Sequence, residues 1–336
     1  MTAAHTVTDE AVDGLLARAG IGAGQVASRE RIPGGSYNAL FSVGLTGGDR
    51  LVLKVPPPEG TPRLRYEAEL LCGEALFYER AAAAGVPAPR VVHSEWREGT
   101  GAAPFLVMTH SPGVPWNEVA EAMAPEEHER LLTELGGLVG RLHAVRGGDG
   151  FGYPAQRVAP FAAGWPQAFA AMTDALLTDA EEYRPWLPRP AAQIRAVLAG
   201  GAPALAEVTR PALVHFDLWS GNVLLDGEPG KRTVGGLIDG ERMFWGDPLA
   251  DFPSLSLFFG HLEDDPAFLA GYGAAGGRTS FDAAARVRLA LYRCYLYLIM
   301  LIEVVPRSTA GEHLVWVRDF AGPRLTAALD AVTAGS

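Results

Sequence analysis

The first third of the chain alternates apolar and polar residues in short runs between turn residues, a pattern that predicts β-strands. Four such runs occupy residues 25–32, 39–45, 50–55 and 104–108, and residues 86–92 lead into another strand. Apolar residues three and four apart predict a short helix at 9–19, and a longer helix is expected at 65–84. The beginning of the chain is therefore expected to form a small sheet with one long helix.

From Thr109 onward the pattern becomes mainly helical. Helices are expected at 126–145, at 167–183, at 190–199 and through most of 251–333, with short strands near 213, near 223 and at 234–238. The predicted class is α+β with two lobes. An N-terminal antiparallel sheet lobe would cover residues 1–108 and bind a nucleotide, and a larger, mainly helical C-terminal lobe would cover 109–336.

Composition and charge narrow the class of protein. Hydrophobic residues make up 48% and charged residues 20% of the 336 residues, as in ordinary globular enzymes. A net charge of −11 argues against nucleic acid or an anionic membrane as the main partner. The apolar segment 294–302 is too short to span a bilayer, and no secretion signal or disulfide framework is visible. We expect a cytoplasmic protein, a monomer or a homodimer, that acts on a small molecule.

Three candidate catalytic residues lie close together in the sequence. Asp217 and Asn222 lie in a loop between two apolar runs, and Asp239 follows the next apolar run. Phosphoryl transfer needs an acceptor for the proton of the attacking hydroxyl, oxygen ligands for Mg²⁺ and a cation on the phosphates. Asp217 is the candidate proton acceptor. Asn222 and Asp239 are candidate Mg²⁺ ligands, because Mg²⁺ takes few protein oxygens. A lone loop aspartate is usually a turn residue, so the inference depends on the whole set.

Lys54, in the predicted strand 50–55, is the candidate cation for the phosphates. That role requires a carboxylate from the next helix to hold the ammonium group. Glu74 is preferred because it lies near the middle of that helix, ahead of three other candidates, Glu67, Glu69 and Glu79. The alternative is a strand lysine that faces solvent.

The turn between the first two predicted strands can place backbone N–H groups over nucleotide phosphates, with Gly35, Ser36 and Asn38 as the contacts. A plain Gly-Gly hairpin turn is the alternative.

Three residues near the catalytic candidates are expected to be structural. His215 would fix the loop through hydrogen bonds to backbone carbonyls. Asp247 and Asp251 would cap the start of a helix and anchor the loop.

These residues follow the order found in a known family. The chain resembles the aminoglycoside phosphotransferase and choline kinase group, which shares the protein-kinase-like bilobal fold. The matching features are Leu53-Lys54, the helix with Glu74, Val86-Pro87-Ala88-Pro89, Phe105 to Met108, Leu142-His143, His215-x-Asp217-x-x-x-x-Asn222, Ile238-Asp239 and Gly246-Asp247-Pro248-x-x-Asp251. Two residues depart from the pattern: Phe216 stands where glycine is usual, and Gly240 stands where an aromatic residue is commoner.

The resemblance implies that ATP or GTP binds between the lobes, with its base edge on backbone groups near Met108 and His110. It assigns Asp217 as catalytic base and Asn222 and Asp239 as metal ligands. The acceptor would lie over the C-terminal lobe, between residues 150–200 and the helices after 251. Aromatic residues from 151 to 186 can suit a sugar or nucleoside, although packing is the expected role of each.

The leading hypothesis is an O-phosphotransferase that moves the γ-phosphate of ATP or GTP to a hydroxyl of a small natural product. An antibiotic of aminoglycoside, nucleoside or peptide type, with resistance as the outcome, is the first choice. A metabolic kinase of fructosamine, choline or homoserine type is the alternative. An inactive kinase-like binding protein would be expected to lack one of Lys54, Asp217, Asn222 and Asp239, and all four are present.

Overall fold

Five antiparallel strands form a sheet in the N-terminal part of the chain. The strands are β1 (Val26–Ile32), β2 (Ala39–Leu45), β3 (Arg50–Val55), β4 (Val91–Glu95) and β5 (Phe105–Thr109). They lie in the order β1-β2-β3-β5-β4, so β3 is central. The computed structural model describes residues 5–33, 37–97, 99 and 102–335. The antiparallel sheet predicted from the sequence is confirmed.

One helix covers each face of this sheet. Helix α1 (Asp9–Arg18) buries its apolar residues in a small hydrophobic cluster with Leu53 of β3. Helix α2 (Leu70–Ala83) lies on the other face, where its apolar residues join the larger core of the molecule. Because side chains alternate along a strand, Lys54 points to the α2 side of the sheet.

Residues 86–92 were expected to lead into a strand, and that strand is β4, which begins at Val91 and ends at Glu95. Pro87 and Pro89 lie before it, because proline has no N–H group to donate to a neighbouring strand.

The single helix expected at 65–84 is split. Residues 65–67 form a 3₁₀ turn, and Glu69 takes a left-handed φ of 59° before α2 begins. The N–H of Arg65 donates to Asp179 of the C-terminal part at 2.9 Å. This contact fixes the segment before α2 to the helical part of the molecule.

The remainder of the chain is mainly helical. Its helices are α3 (Trp116–Val119), α4 (Pro125–Ala144), α5 (Trp165–Tyr183), α6 (Ala191–Gly201), α7 (Phe252–Phe259), α8 (Pro266–Ala274), α9 (Ala283–Glu303) and α10 (Gly311–Gly335). Its short strands are β6 (Val114–Pro115), β7 (Ala212–Val214), β8 (Val223–Asp226), β9 (Thr233–Leu237) and β10 (Phe244–Gly246). Among the residues described, none of these helices combines the length and apolar character needed to cross a bilayer.

Helix α9 is the centre of this helical part, because most of its residues are buried. It packs against α5, α7 and α10. The loop between β7 and β8 rests on the same core: the ring centroids of Phe216 and Tyr295 of α9 are 5.4 Å apart. The N–H of Leu218 donates to Ser254 Oγ of α7 at 3.1 Å. A rigid helical base therefore supports the loop that carries Asp217.

The crossing of α4 and α8 depends on glycines that let the two backbones touch. A Cβ added at Gly271 would collide with the Thr133 carbonyl oxygen of α4. We expect Gly271→Ala to lower the free energy of unfolding by roughly 1–3 kcal/mol, since the helices would have to separate. Urea unfolding measures this. Gly14→Ala in α1 is the control: nothing lies within 4 Å of the added Cβ, so it should be neutral or stabilising by up to about 1 kcal/mol. Equal effects in the two variants would contradict the packing argument.

Candidate active site

The ammonium group of Lys54 is buried among three carboxylates. Its Nζ lies 2.7 Å from Glu74 Oε2, 2.6 Å from Asp239 Oδ1 and 2.6 Å from Glu241 Oε2. The side chains of Lys54 and Glu74 are 3% and 1% exposed, whereas that of Asp239 is 41% exposed. Glu74 comes from α2, and the other two carboxylates come from the turn after β9. The cluster therefore joins the sheet and the helical part at the cleft.

Two polar side chains fix these carboxylates. Tyr78 donates its hydroxyl hydrogen to Glu74 Oε1 at 2.8 Å and accepts the N–H of Asp239 at 3.0 Å. Asn38, directly before β2, donates its amide to Glu241 Oε2 at 2.7 Å. Hydrogen bonds thus fix the carboxylates of Glu74 and Glu241 and the backbone of Asp239, in addition to the contacts with Lys54.

One ammonium group cannot neutralise three carboxylates. Burial opposes the charge on Lys54, yet the carboxylates together raise its pKa well above the ordinary value. Burial, together with the charges of Asp239 and Glu241, raises the pKa of Glu74 to about 7 against the pull of Lys54. Burial also opposes ionisation of Asp239, but Lys54 holds its pKa below the usual range. The excess negative charge favours binding of another cation.

The loop after β7 is held by the buried carboxylate of Asp251. Its Oδ1 accepts the N–H of Phe216 at 2.6 Å, and its Oδ2 accepts the N–H of His215 at 3.1 Å. The ring of His143 lies against the same carboxylate, with Nε2 at 2.9 Å from Oδ2. Phe216 has a φ of 64°, in the left-handed region that glycine favours. This explains how a residue other than glycine is kept at this position.

The ring of His215 fixes the loop through a backbone carbonyl, as the sequence predicted. Nδ1 accepts the N–H of Asp217 at 3.2 Å, so the ring hydrogen lies on Nε2. Nε2 then donates to the carbonyl oxygen of Ile238 at 3.0 Å. The residue before Asp239 is therefore tied to the loop that carries Asp217.

Asp217 lies in the cleft, with its side chain 18% exposed. Arg242 places Nε 3.8 Å from Asp217 Oδ2. Burial raises the pKa of Asp217, while the Arg242 guanidinium lowers it. Asn222 donates its side-chain amide to the backbone oxygen of Asp217 at 2.7 Å, which leaves its carbonyl oxygen as the possible metal ligand.

A chain of alternating charges leads from Asp217 across the cleft. Arg242 Nη2 lies 3.1 Å from Glu303 Oε2, and Arg307 Nη2 lies 3.0 Å from the same oxygen. Arg307 then reaches Glu67 of the N-terminal part at 2.6 Å. The carboxylates on this side of the cleft are thus paired with guanidinium groups.

Glu74 is the predicted glutamate that reaches Lys54. Glu67 pairs with Arg307, Glu69 pairs with Arg157, and Glu79 is exposed.

The expected phosphate contacts of Gly35 and Ser36 fall outside the residues that the structure describes. Asn38 is described, and it contributes its side chain to Glu241.

The sheet limits which backbone groups near Met108 and His110 are free to contact a nucleotide base. The N–H of Thr109 donates to the Arg90 carbonyl at 2.9 Å, and the N–H of His110 donates to the Arg50 carbonyl at 3.0 Å. Both donors are used within the protein. A nucleotide base at this edge would have to use carbonyl oxygens or groups after His110.

Sequence reasoning missed Glu241, Tyr78 and Arg242 as site residues. Glu241 had a signal, because it is a second acid two residues after Asp239. Gly240 between them is explained by packing: an added Cβ there would collide with the ring of Phe77. The sequence pattern gave no indication that Tyr78 or Arg242 belongs to the site.

The aromatic residues from 151 to 186 do not form an exposed surface. Phe151, Tyr153 and Trp165 are buried in the core. Trp186 is 45% exposed and lies against Gly322 of α10. The packing role expected for the first three is confirmed.

The donor atoms at the cleft fit Mg²⁺, which prefers oxygen ligands. Carboxylate oxygens of Glu74, Asp239 and Glu241 lie within 4.8 Å of one another. Glu74 is enclosed behind Lys54, so Asp239 is the most accessible of the three. Asn222 is nearby, because the Ile238 N–H donates to its backbone oxygen at 3.0 Å. Asp239 with Asn222 or Glu241 can supply the protein ligands.

Comparison with known proteins reveals the family and the fold. A sequence model of the phosphotransferase enzyme family (APH) matches residues 28–292, more than half of the chain. The probable ketoamine kinase YniA of Escherichia coli is 26% identical over 91% of this chain and 95% of that protein. Acyl-CoA dehydrogenase family member 10 of Mus musculus is 25% identical over 65% of this chain. The matched segment covers only 19% of that longer protein.

The fold comparison agrees with the family match. A structure of a candidate aminoglycoside phosphotransferase from Ralstonia eutropha JMP134 superposes with a TM-score of 0.65 at 14% identity, over 97% of this chain and 98% of that one. The bilobal, protein-kinase-like α+β fold expected from the sequence is therefore confirmed.

The raised pKa of Glu74 predicts a pH dependence of stability. The folded protein keeps a proton on Glu74 up to about pH 7, whereas the unfolded chain releases it near 4.5. The stabilising contribution of the Glu74 proton is full below pH 4.5 and is lost as the pH rises through about 7. Between these two pH values the free energy of unfolding should therefore fall less for Glu74→Gln than for wild type. The difference should be on the order of 3 kcal/mol at most. Urea unfolding without nucleotide or Mg²⁺ measures it; parallel pH profiles would contradict the assignment.

Proposed function

Because this chain belongs to the phosphotransferase enzyme family, we propose that it moves the γ-phosphate of ATP or GTP to a hydroxyl of a small natural product. The N-terminal lobe, 1–108, would bind the nucleotide, and the C-terminal lobe, 109–336, would carry the catalytic loop and the acceptor. Antibiotic resistance in the cytoplasm is the biological role that we propose for it.

The observation that carries the proposal is the convergence of Lys54, Glu74 and Asp239 at the cleft. Their contacts of 2.6–2.7 Å join residues far apart in the sequence. Phosphoryl transfer depends on positioning and on neutralisation of phosphate charge: this cluster would position the phosphates, and Lys54 with a bound cation would neutralise them. Lys54 would hold the α- and β-phosphates, and Glu74 at 2.7 Å fixes the place of its ammonium group.

Asp217 would orient the attacking hydroxyl and accept its proton. The hydroxyl oxygen would form the new bond to the γ-phosphorus as the bond to the β–γ bridging oxygen breaks, and the nucleoside diphosphate would leave. Arg242 keeps a positive charge beside Asp217, which favours the ionised form that a base needs. Mg²⁺ held by Asp239 and Asn222 would neutralise phosphate charge when bound.

A ketoamine or fructosamine kinase is the second candidate function. The supporting observation is the similarity to YniA, which covers nearly the full length of both chains at 26% identity. The residues proposed here for catalysis would serve either function, so the acceptor alone separates the two candidates.

A screen of acceptors with both ATP and GTP tests the function. Purified protein is incubated with each nucleotide, Mg²⁺ and a panel of antibiotics, amino sugars and fructosamines. Mass spectrometry should find one acceptor whose mass rises by one phosphate. Products among the antibiotics favour the first proposal, and products only among fructosamines favour the second. Nucleotide binding without product from any acceptor would count against both.

Replacement of Asp217 tests its role as the catalytic base. Asp217→Asn should keep nucleotide affinity and lower turnover by about 10²–10⁴, the usual contribution of a general base. Steady-state kinetics and calorimetry measure the two effects separately. Asp226→Asn is the matched control, because Asp226 is an exposed aspartate at the end of β8. Turnover of Asp217→Asn within a few fold of wild type would remove Asp217 from this role.

A further inference from the structure

The ring of Phe77 joins helix α2 to the loop that carries the candidate base. Phe77 is fully buried, and the centroid of its ring lies 4.8 Å from that of His215. The two ring planes meet at 77°, an edge-to-face arrangement that aromatic rings favour. His215 is two residues before Asp217. Helix α2 therefore contacts this loop directly, in addition to the contact of Glu74 with Lys54.

The space that the Phe77 ring fills lies directly beside Gly240. A Cβ added at Gly240 would lie 2.4 Å from Cδ1 and 2.5 Å from Cγ of Phe77. The φ angle of Gly240 is outside the left-handed region, so the backbone does not demand glycine there. The lack of a side chain at this position is explained by the ring of Phe77. A side chain at 240 would enter the space that this ring occupies.

The imidazole of His215 is held by two hydrogen bonds that leave one motion open. Its nitrogens accept from the N–H of Asp217 at 3.2 Å and donate to the carbonyl oxygen of Ile238 at 3.0 Å. Such bonds fix the directions of the two nitrogens, but the ring can still rock about the line that joins them. The closely packed ring of Phe77 restricts that rocking. Rocking would disturb the backbone at Asp217 and directly before Asp239.

Helix α2 supports three parts of the site from one side. Glu74, Phe77 and Tyr78 are three and four residues apart, so they lie on the same side of the helix. Glu74 contacts the lysine of β3, Phe77 contacts the loop after β7, and Tyr78 accepts an N–H of the turn after β9. A displacement of Phe77 would therefore be felt at the loop that carries the candidate base.

We propose that Phe77 is a positioning residue for phosphoryl transfer. From α2 it holds the imidazole of His215, and through that ring it holds the backbone of Asp217 and of Ile238 in the arrangement that catalysis needs. It touches no substrate itself. This inference rests on the proposed function, to which it adds a buried residue outside the reacting groups. The ring is what matters, and the same space can receive a ring from position 240.

Transfer of the ring from one segment to the other tests the shared space without nucleotide or acceptor. Phe77→Ala leaves a cavity, and Gly240→Phe forces two rings into one space, so each should lower the free energy of unfolding. The double variant has one ring in that space again. Urea unfolding should find it more stable than either single variant. A Gly240→Phe variant as stable as wild type, a double variant with the summed losses, or one that does not fold would overturn the inference.

The hold on His215 is measured by NMR of protein labelled with ¹⁵N in histidine. Its Nε2–H is bonded to the Ile238 carbonyl, so it should exchange slowly with water, and His215→Asn identifies the signal. Phe77→Leu keeps an apolar side chain but removes the ring contact, and should speed this exchange about tenfold. The double variant should restore slow exchange. Phe41→Leu is the matched control, because Phe41 is also buried but lies in the small cluster on the α1 side of the sheet.

Turnover distinguishes positioning from packing alone. With an acceptor found by the screen, Phe77→Leu should lower kcat about tenfold, because misplaced catalytic groups slow transfer. The KM for the acceptor should change little, since Phe77 does not touch it. Phe41→Leu should keep both constants.

An unchanged kcat or an unchanged exchange rate at His215 in Phe77→Leu would overturn the inference, and so would equal losses in Phe41→Leu. Failure of the proposed function has a different signature: wild type that binds neither Mg²⁺-ADP nor Mg²⁺-GDP in calorimetry and gives no product in the screen. The unfolding and exchange measurements test Phe77 even in that case.

Discussion

One buried ammonium group facing three carboxylates is the interaction on which the cleft depends. A buried charge is tolerated only when it is paired, and Lys54 is paired three times, with Glu74, Asp239 and Glu241. The pairing ties a central strand, helix α2 and the turn after β9 to one point. It also leaves net negative charge in the cleft, which favours the binding of a cation such as Mg²⁺. The same contacts therefore stabilise the junction of the lobes and prepare it for ligand.

The backbone on either side of this cluster is held in uncommon conformations by nearby hydrogen bonds. Phe216 and Asp239 have φ angles of 64° and 62°, which side chains other than glycine rarely adopt. Such conformations cost of order 1–3 kcal/mol each and persist when the surroundings enforce them. Asp251 enforces the first through the N–H of Phe216, and Tyr78 contributes to the second through the N–H of Asp239. Both turns direct a carboxylate toward the cleft.

The sequence was sufficient for the parts of the molecule that follow local rules. Alternation and helical spacing located the five-stranded sheet and the long helices, and an acid after an apolar run pointed to Asp239. The split before α2 could not be foreseen, because it depends on Asp179, more than a hundred residues away. Glu241 and Arg242 gain their roles from contacts with Lys54 and Asp217, which periodicity does not reveal.

The most direct test of the central idea is a crystal structure with Mg²⁺ and a non-hydrolysable ATP or GTP analogue. We expect phosphate oxygens on Lys54 Nζ, Glu74 still paired with Lys54, and Asp239 turned from the lysine to the metal. Density for the nucleotide elsewhere, with all three carboxylates still surrounding Lys54, would contradict it.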